Sequence, residues 1–210
     1  LLLAASLTIL AVAAFASVAL GARPLSLDTV WQALTSADPA NGDHAVVLSR
    51  LPRTVSALLI GAALGLAGTA LQGMTRNPLA DPGIMGLNAG AAFAVVTAIY
   101  VFGVTSFTGY VWFALAGTAL AALLVYAVAA LGREGATPVK LALAGAALTA
   151  GLTSLLSAVL VSSQQTLNTF RFWQVGTVSG RGWDVLLPRI PFLAVGAAIL
   201  LASGRALNGL

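Results

Sequence analysis

Apolar residues gather into six long stretches separated by short polar breaks, and the first of them, Leu1 to Ala22, carries no charge at all. A helix that crosses a bilayer needs about 20 apolar residues at 1.5 Å rise each. That rule predicts spans over Leu1–Ala22, about Thr54–Gly73, Gly83–Gly103, Phe107–Leu131, about Leu141–Val161 and Val185–Gly204. The first stretch lacks a basic n-region and is longer than the roughly 7–15-residue apolar core of a signal peptide, so it reads as a true span. Pro188, Arg189 and Pro191 crowd the start of the sixth, where a first helical turn still tolerates proline.

Two connections are too long to be turns. In Arg23–Arg53, Ser26 is placed to N-cap a short amphipathic helix, with Asp28 in its first turn favoured by the helix dipole. In Ser162–Asp184, Phe170, Phe172, Trp173 and Trp183 stand beside arginines, a composition suited to the headgroup layer or to a re-entrant segment. Neither connection holds a soluble domain. The fold class expected is all-α, a polytopic helical membrane protein.

Composition supports the same picture. Hydrophobic residues make up 59 % of the 210 and charged residues 8 %, against roughly 25 % charged in soluble domains. Ten Lys and Arg against six Asp and Glu are scattered, not clustered, which argues against nucleic acid as a partner and names membrane lipid instead. With no cysteine, disulfides, thiolate metal sites and cysteine nucleophiles are excluded. The six spans place both termini on one side. Arg76, Arg133, Lys140 and Arg205 fall on that side, and Arg23, Arg50, Arg53, Arg171, Arg181 and Arg189 on the other. A bare positive-inside count would put the termini outside, but the long first loop weakens that count and leaves orientation open.

The densest motif runs from Arg50-Leu51-Pro52-Arg53 through the second span to Asn77-Pro78-Leu79-Ala80-Asp81-Pro82. Asn-Pro and Asp-Pro each pair an N-cap side chain with proline at the first helical position. They predict a single turn capped by Asn77 and a helix restarting at Asp81. Broken helix at a membrane boundary is tolerated where it is buried or lines a cavity, so the segment is either a rigid turn or a gate. Gly61, Gly65 and Gly68 share one face of the second span and suit close helix packing. In the fifth span Gly145, Thr149, Thr153 and Ser157 recur every four residues beside a row of Ala146, Ala150, Ser154, Ala158 and Ser162. This broad small-residue face is either a helix contact, its hydroxyls bonded back to their own backbone, or the wall of a weakly polar passage.

No Asp, Glu, His, Lys or Arg falls in the middle of any predicted span. Intramembrane charges mark ion paths, proton relays and catalytic sites. Their absence argues against a proton- or sodium-coupled carrier, a channel with a charged filter and an intramembrane hydrolase. His44 is the sole histidine and lies in a polar loop, so no metal site is expected, nor a route for bare transition-metal ions. Energy must come from elsewhere, and the cargo must have its charge wrapped.

The run RLPRTVSALLIGAALGLAGTALQGMTRNPLADPGIMGLNAGAA closely resembles the permeases of the FecCD family, membrane subunits of ABC importers for iron-siderophores, haem and cobalamin. FWQVGTVSGRGWDVLLPRIP and the closing RALNGL are similar to the same family's fifth-to-sixth span region. The resemblance implies the first two thirds of a ten-span fold, with a cytoplasmic coupling loop and four spans beyond Leu210, and cytoplasmic termini. It implies that Arg50 and Arg53 pair with carboxylates on an extracytoplasmic substrate-binding protein; the alternative is that they snorkel at the head of the span. Asn77 and Leu79 match positions of the cytoplasmic gate. Thr137 and Pro138 fall near the opposing gate loop, although Pro138 departs from the small polar residue expected there. The fifth span, with Gly145, Thr149, Thr153 and Ser157, would line the translocation pathway. The implied partners are a second permease copy, in a homodimer or paralogous heterodimer, and two ATP-binding subunits that hold ATP and Mg. This chain would itself bind no cofactor and catalyse no reaction, and it would sit in the bacterial cytoplasmic membrane. Ferric siderophore is the expected cargo, with haem or cobalamin as alternatives. The competing readings are a non-transporting truncated fragment, which the opening Leu1 and the early end raise, and a passive channel.

Overall fold

The computed structural model describes residues 1–131, 135–180 and 182–208, with side chains through residue 204. Arg133, Arg181, the side chains of residues 205–208 and the last two residues of the closing RALNGL motif lie outside the described part. Helices dominate, in the order α1 (Leu2–Ala19), α2 (Leu27–Thr35), α3 (Gly42–Thr75), α4 (Leu87–Phe102), α5 (Phe107–Ala129), α6 (Pro138–Ser162), α7 (Gln164–Val175), α8 (Trp183–Leu186), a 3₁₀ turn (Leu187–Arg189) and α9 (Ile190–Asn208). No strand occurs among the described residues. Among the described residues, five helical segments are long and apolar enough to cross a membrane: Leu2–Ala19, Gly42–Thr75, Phe107–Ala129, Pro138–Ser162 and Trp183–Gly204. The chain forms two compact units: Leu1–Leu66 with Thr177–Leu201, and Ala67–Gly176 with the segment from Ala202 onward.

In the first unit, Ser26 caps α2 by accepting from the Thr29 N–H at 3.1 Å, as its position predicts. Val30 and Ala33 of α2 pack on Val18 and Ala19 of α1 and Val47 of α3, with Phe15, Leu25 and Leu51 around them. Helix α3 departs from expectation. It begins at Gly42, twelve residues before the predicted Thr54, and continues through Pro52. Asn41 starts it, its side chain accepting the Asp43 N–H at 2.9 Å. His44, Val47, Arg50 and Thr54 are all buried, at helical spacing. The polar character that reads as loop in the sequence is therefore one face of a helix. Gly61, Gly65 and Gly68 share a face of α3, and a Cβ built on any of them would meet no described atom within 4 Å.

In the second unit α4 packs on α5, α6 and α7. Val95, Val96, Tyr110 and Phe170 form one core, and Val125, Ala129 and Leu141 form another that takes in Met85. Helix α4 starts at Leu87 rather than at Asp81 or Gly83, because Gly86 has φ 74° and a left-handed residue cannot continue a right-handed helix. Residues 81–86 form successive turns instead. That leaves α4 with 16 residues, about 24 Å long. Helices α4 and α5 touch through glycine: a Cβ on Gly90 would lie 2.5 Å from Ala121 Cβ, and one on Gly117 would lie 2.5 Å from Ala94 Cβ. Ser106 and Thr137 N-cap α5 and α6, with Pro138 at the first turn of α6. The aromatic stretch after α6 is helical as α7, anchored by fully buried Phe170 with Trp173 at a ring distance of 5.4 Å.

Candidate functional site

Thr149, Thr153 and Ser157 of α6, together with Ala146, Ala150 and Ser154, line an open groove of about 740 Å³ whose far wall is Asp81, Gly83 and Ile84. The two rows of small residues noted in the sequence thus meet in one concave surface, and the 81–86 turns supply its other side. Three of the groove's four hydroxyls are spent internally. Thr149 donates to Gly145 O at 2.7 Å, Ser154 to Ala150 O at 2.9 Å and Ser157 to Thr153 O at 2.8 Å. Such back-bonding satisfies these three donors and leaves their oxygens only lone pairs to offer. The hydroxyls of Thr149, Ser154 and Ser157 thus bond to their own helix, and the surface they line is hollow. Asp81 is the groove's single charge, and its carboxylate accepts the Gly83 N–H.

Gly145 does not line the groove. It is buried beneath the turn, where a Cβ would lie 2.7 Å from Met85 Cα. Its role is to let the turn's backbone sit directly on α6, while Met85 fills the core between α5 and α6. Asn77 and Leu79 stand in the preceding turn. Asn77 Oδ1 accepts the Leu79 N–H at 2.9 Å, Gln72 Nε2 donates to Pro78 O at 3.0 Å, and the Leu79 side chain is exposed. Arg76 ends α3 with φ 50°, the only positive φ outside glycine among the described residues. Thr137 accepts the Lys140 N–H, and Lys140 Nζ donates to Gly135 O at 3.2 Å. No hydrogen bond among the described residues joins Thr137 or Pro138 to Asn77 or Leu79, and Pro138 stands where proline suits a helix start.

Arg50 differs most from the exposed-rim expectation. It is 9 % exposed, and its guanidinium donates to Val18 O at 2.8 Å, Ala19 O at 2.9 Å and Arg23 O. Arg53 donates to Ser17 O at 2.6 Å, and Ser17 and Thr54 share a hydroxyl hydrogen bond of 2.9 Å. The last carbonyls of a helix have no intrahelical donor and carry partial negative charge, so two arginines of α3 close the end of α1. Gly21 makes room, since a Cβ there would lie 2.8 Å from Arg50 Nη2. Sequence reading missed Gly21 and the Gly90–Gly117 contact. The small-residue pairs Gly90/Ala94 and Gly117/Ala121, each four apart, were the available signal for the second. Among the described residues no three His, Cys, Asp or Glu side chains come together as a metal-ligand group.

Residues 9–210 match the FecCD transport family. The chain is 42 % identical over 206 residues to the ferric enterobactin transport system permease protein of Escherichia coli, covering 97 % of this chain and 61 % of that one. It is 42 % identical over 185 residues to an iron(3+)-hydroxamate import system permease protein of Bacillus subtilis, covering 88 % and 48 %. To the cobalamin import system permease protein of Halobacterium salinarum it is 36 % identical over 216 residues, covering 97 % and 58 %. It therefore spans about half to three fifths of these relatives' lengths. Among solved structures it resembles an inward-facing conformation of a metal-chelate type ABC transporter, with TM-score 0.75 and 28 % identity over 96 % of this chain and 60 % of that one. A family match over nearly the whole length, on a helical scaffold of apolar spans, places this chain in the FecCD transport family.

Proposed function

We propose that this chain is the permease part of a binding-protein-dependent ABC importer that carries an iron-siderophore chelate across a bacterial cytoplasmic membrane. The observation that carries this reading is the groove along α6, roomy and lined by Ala, Thr and Ser with Asp81 alone charged. A surface with no ligand set and no free hydroxyl donors at Thr149, Ser154 and Ser157 grips nothing strongly. It suits a bulky solute whose metal is already enclosed, and it offers a bare cation too little to offset its hydration. Two permease copies would enclose the passage. Work would come from two ATP-binding subunits holding ATP and Mg, and direction from an extracytoplasmic binding protein. Thr149, Thr153 and Ser157 are the pathway residues, while Gly145 supports them from beneath. Asn77 and Leu79 are gate residues in a turn pinned by Asn77 and Gln72, and Thr137 and Pro138 open the helix behind the groove. Arg53 is the arginine of the pair better suited to docking a carboxylate: it is half-buried and donates to Ser17 O alone, whereas Arg50 is buried and donates to three carbonyls.

The test is uptake of ⁵⁵Fe-labelled siderophore into proteoliposomes holding the whole permease with its ATP-binding subunits. Accumulation should require both nucleotide and binding protein, and Ala150→Trp should lower it at least tenfold by filling the groove. Flux without nucleotide would instead establish a passive channel. Uptake of cobalamin in place of iron would move the cargo to the class named for the Halobacterium relative.

A further inference from the structure

Helix α2 has two apolar faces, and its own unit covers only one. At 100° per residue, Val30 and Ala33 point one way and are 0 % and 1 % exposed. Leu27, Trp31 and Leu34 form an adjoining stripe, at spacings of four and three, and are 66 %, 62 % and 43 % exposed. Asp28, Gln32 and Thr35 occupy the next arc, with Gln32 Nε2 donating to Asp28 Oδ2 at 2.7 Å. The polar edge is therefore ordered and centres about 100° around the helix from the apolar stripe.

The stripe does not stand alone. Leu27 also forms one wall of a shallow apolar groove of about 450 Å³ whose remaining lining is Ala11, Val12, Phe15, Ala16 and Ala19 of α1 with Leu20 just beyond it. Those α1 residues belong to an uncharged helix long enough to cross a bilayer, where they would meet hydrocarbon. The open face of α2 continues the lipid-facing surface of a spanning helix. Arg23 lies between the two helices in sequence, paired with Asp43 at 2.7 Å and with its side chain 65 % exposed, a charge of the sign that lipid phosphates attract. Trp is the side chain that favours this layer, apolar in its body and polar at its N–H.

We infer that α2 is an in-plane membrane anchor: Leu27, Trp31 and Leu34 sink into the headgroup–acyl boundary, and acyl chains of phospholipid fill the groove between α1 and Leu27. Asp28 and Gln32 face water. The anchor fixes the depth at which the first connection, and with it the Arg50–Arg53 cap, meets the membrane. This inference depends only on α1 crossing a bilayer and stands apart from the question of cargo.

The chain has no cysteine, so single spin labels can be placed one at a time through Leu27→Cys, Trp31→Cys, Leu34→Cys, Asp28→Cys and Gln32→Cys. The protein is studied in nanodiscs of phosphatidylcholine and phosphatidylglycerol. Labels at 27, 31 and 34 should collide with oxygen several-fold more often than with a water-soluble nickel chelate, and those at 28 and 32 should show the reverse. Nickel access at all five positions would put α2 in water and overturn the inference. Shielding of 27, 31 and 34 from both reagents would overturn it equally, since protein and not lipid would then cover the stripe. Should a labelled variant fail to fold, the difference in emission between the unaltered protein and Trp31→Phe decides the matter in bilayers of 6,7-dibrominated phosphatidylcholine. Quenching of the Trp31 contribution supports the anchor, and unquenched emission refutes it.

Discussion

Arg50 joins residues thirty positions apart by spending its guanidinium on carbonyls that nothing else in α1 can satisfy. Hydrogen bonds from charged donors are each worth more than neutral ones, and part of the gain here is lost to burying the charge. Arg50→Ala should therefore destabilise the protein by about 2–4 kcal/mol, read as a lowered unfolding midpoint in detergent, and Arg50→Lys should recover roughly half by restoring charge without the fork. Gly21→Ala should cost about 1–2 kcal/mol by pushing the guanidinium out of place. In an Arg50→Ala background the same change should cost almost nothing, because the two positions act through one contact. Full additivity would show that Gly21 matters for some other reason. The sequence marked Arg50 and Arg53 as a pair of charges at the head of a span. It left hidden that their partners are backbone atoms of Val18, Ala19 and Ser17, since carbonyls carry no residue identity to read.

Helix existence was largely legible, because long uncharged runs leave a chain in lipid few alternatives to satisfying its own backbone. The start of α2 was legible because Ser26 stood at the right place to cap it; Thr137–Pro138 carried the same signal for α6, whose apolar pattern alone put the start at about Leu141. Starts were missed where burial on one face offset polar composition, as at Gly42–Arg53, and where a glycine in the left-handed region delayed the start, as at Gly86. Packing was the least legible, because small residues recur everywhere in this chain and only some of them touch. Gly117 and Gly151 separate the two cases. Gly117→Ala drives a Cβ into Ala94 and the Gly90 carbonyl and should cost about 1–3 kcal/mol. Gly151→Ala on α6 meets nothing within 4 Å and should be neutral or stabilising by up to about 1 kcal/mol through helix propensity. Equal losses in the two variants, measured by the same unfolding assay, would mean that Gly151 is packed against something in the assembled protein.

At the scale of the whole chain, the number of crossings turns on α4. Its 16 residues reach about 24 Å, short of a hydrocarbon layer of about 30 Å, and a shortfall of that size requires the bilayer to thin or the flanking turns to sit inside its boundary. The 81–86 turns before it can do so, because their polar groups are bonded locally: Asp81 takes the Gly83 N–H, and Gly86 N–H reaches Gly83 O. Charge counting could not settle sidedness, and it says nothing about whether this helix crosses. Parity does. If α4 crosses, Asn41 before α3 and Ala136 before α6 lie on opposite sides of the membrane; if it does not, they lie on the same side. With no native cysteine to interfere, Asn41→Cys should react with a membrane-impermeant maleimide in intact cells, and Ala136→Cys only after permeabilisation. Labelling of both in intact cells would remove α4 from the spans. Labelling of Ala136 alone would keep the six crossings but invert them, turning the Arg53 surface toward the cytoplasm, where no extracytoplasmic binding protein could reach it.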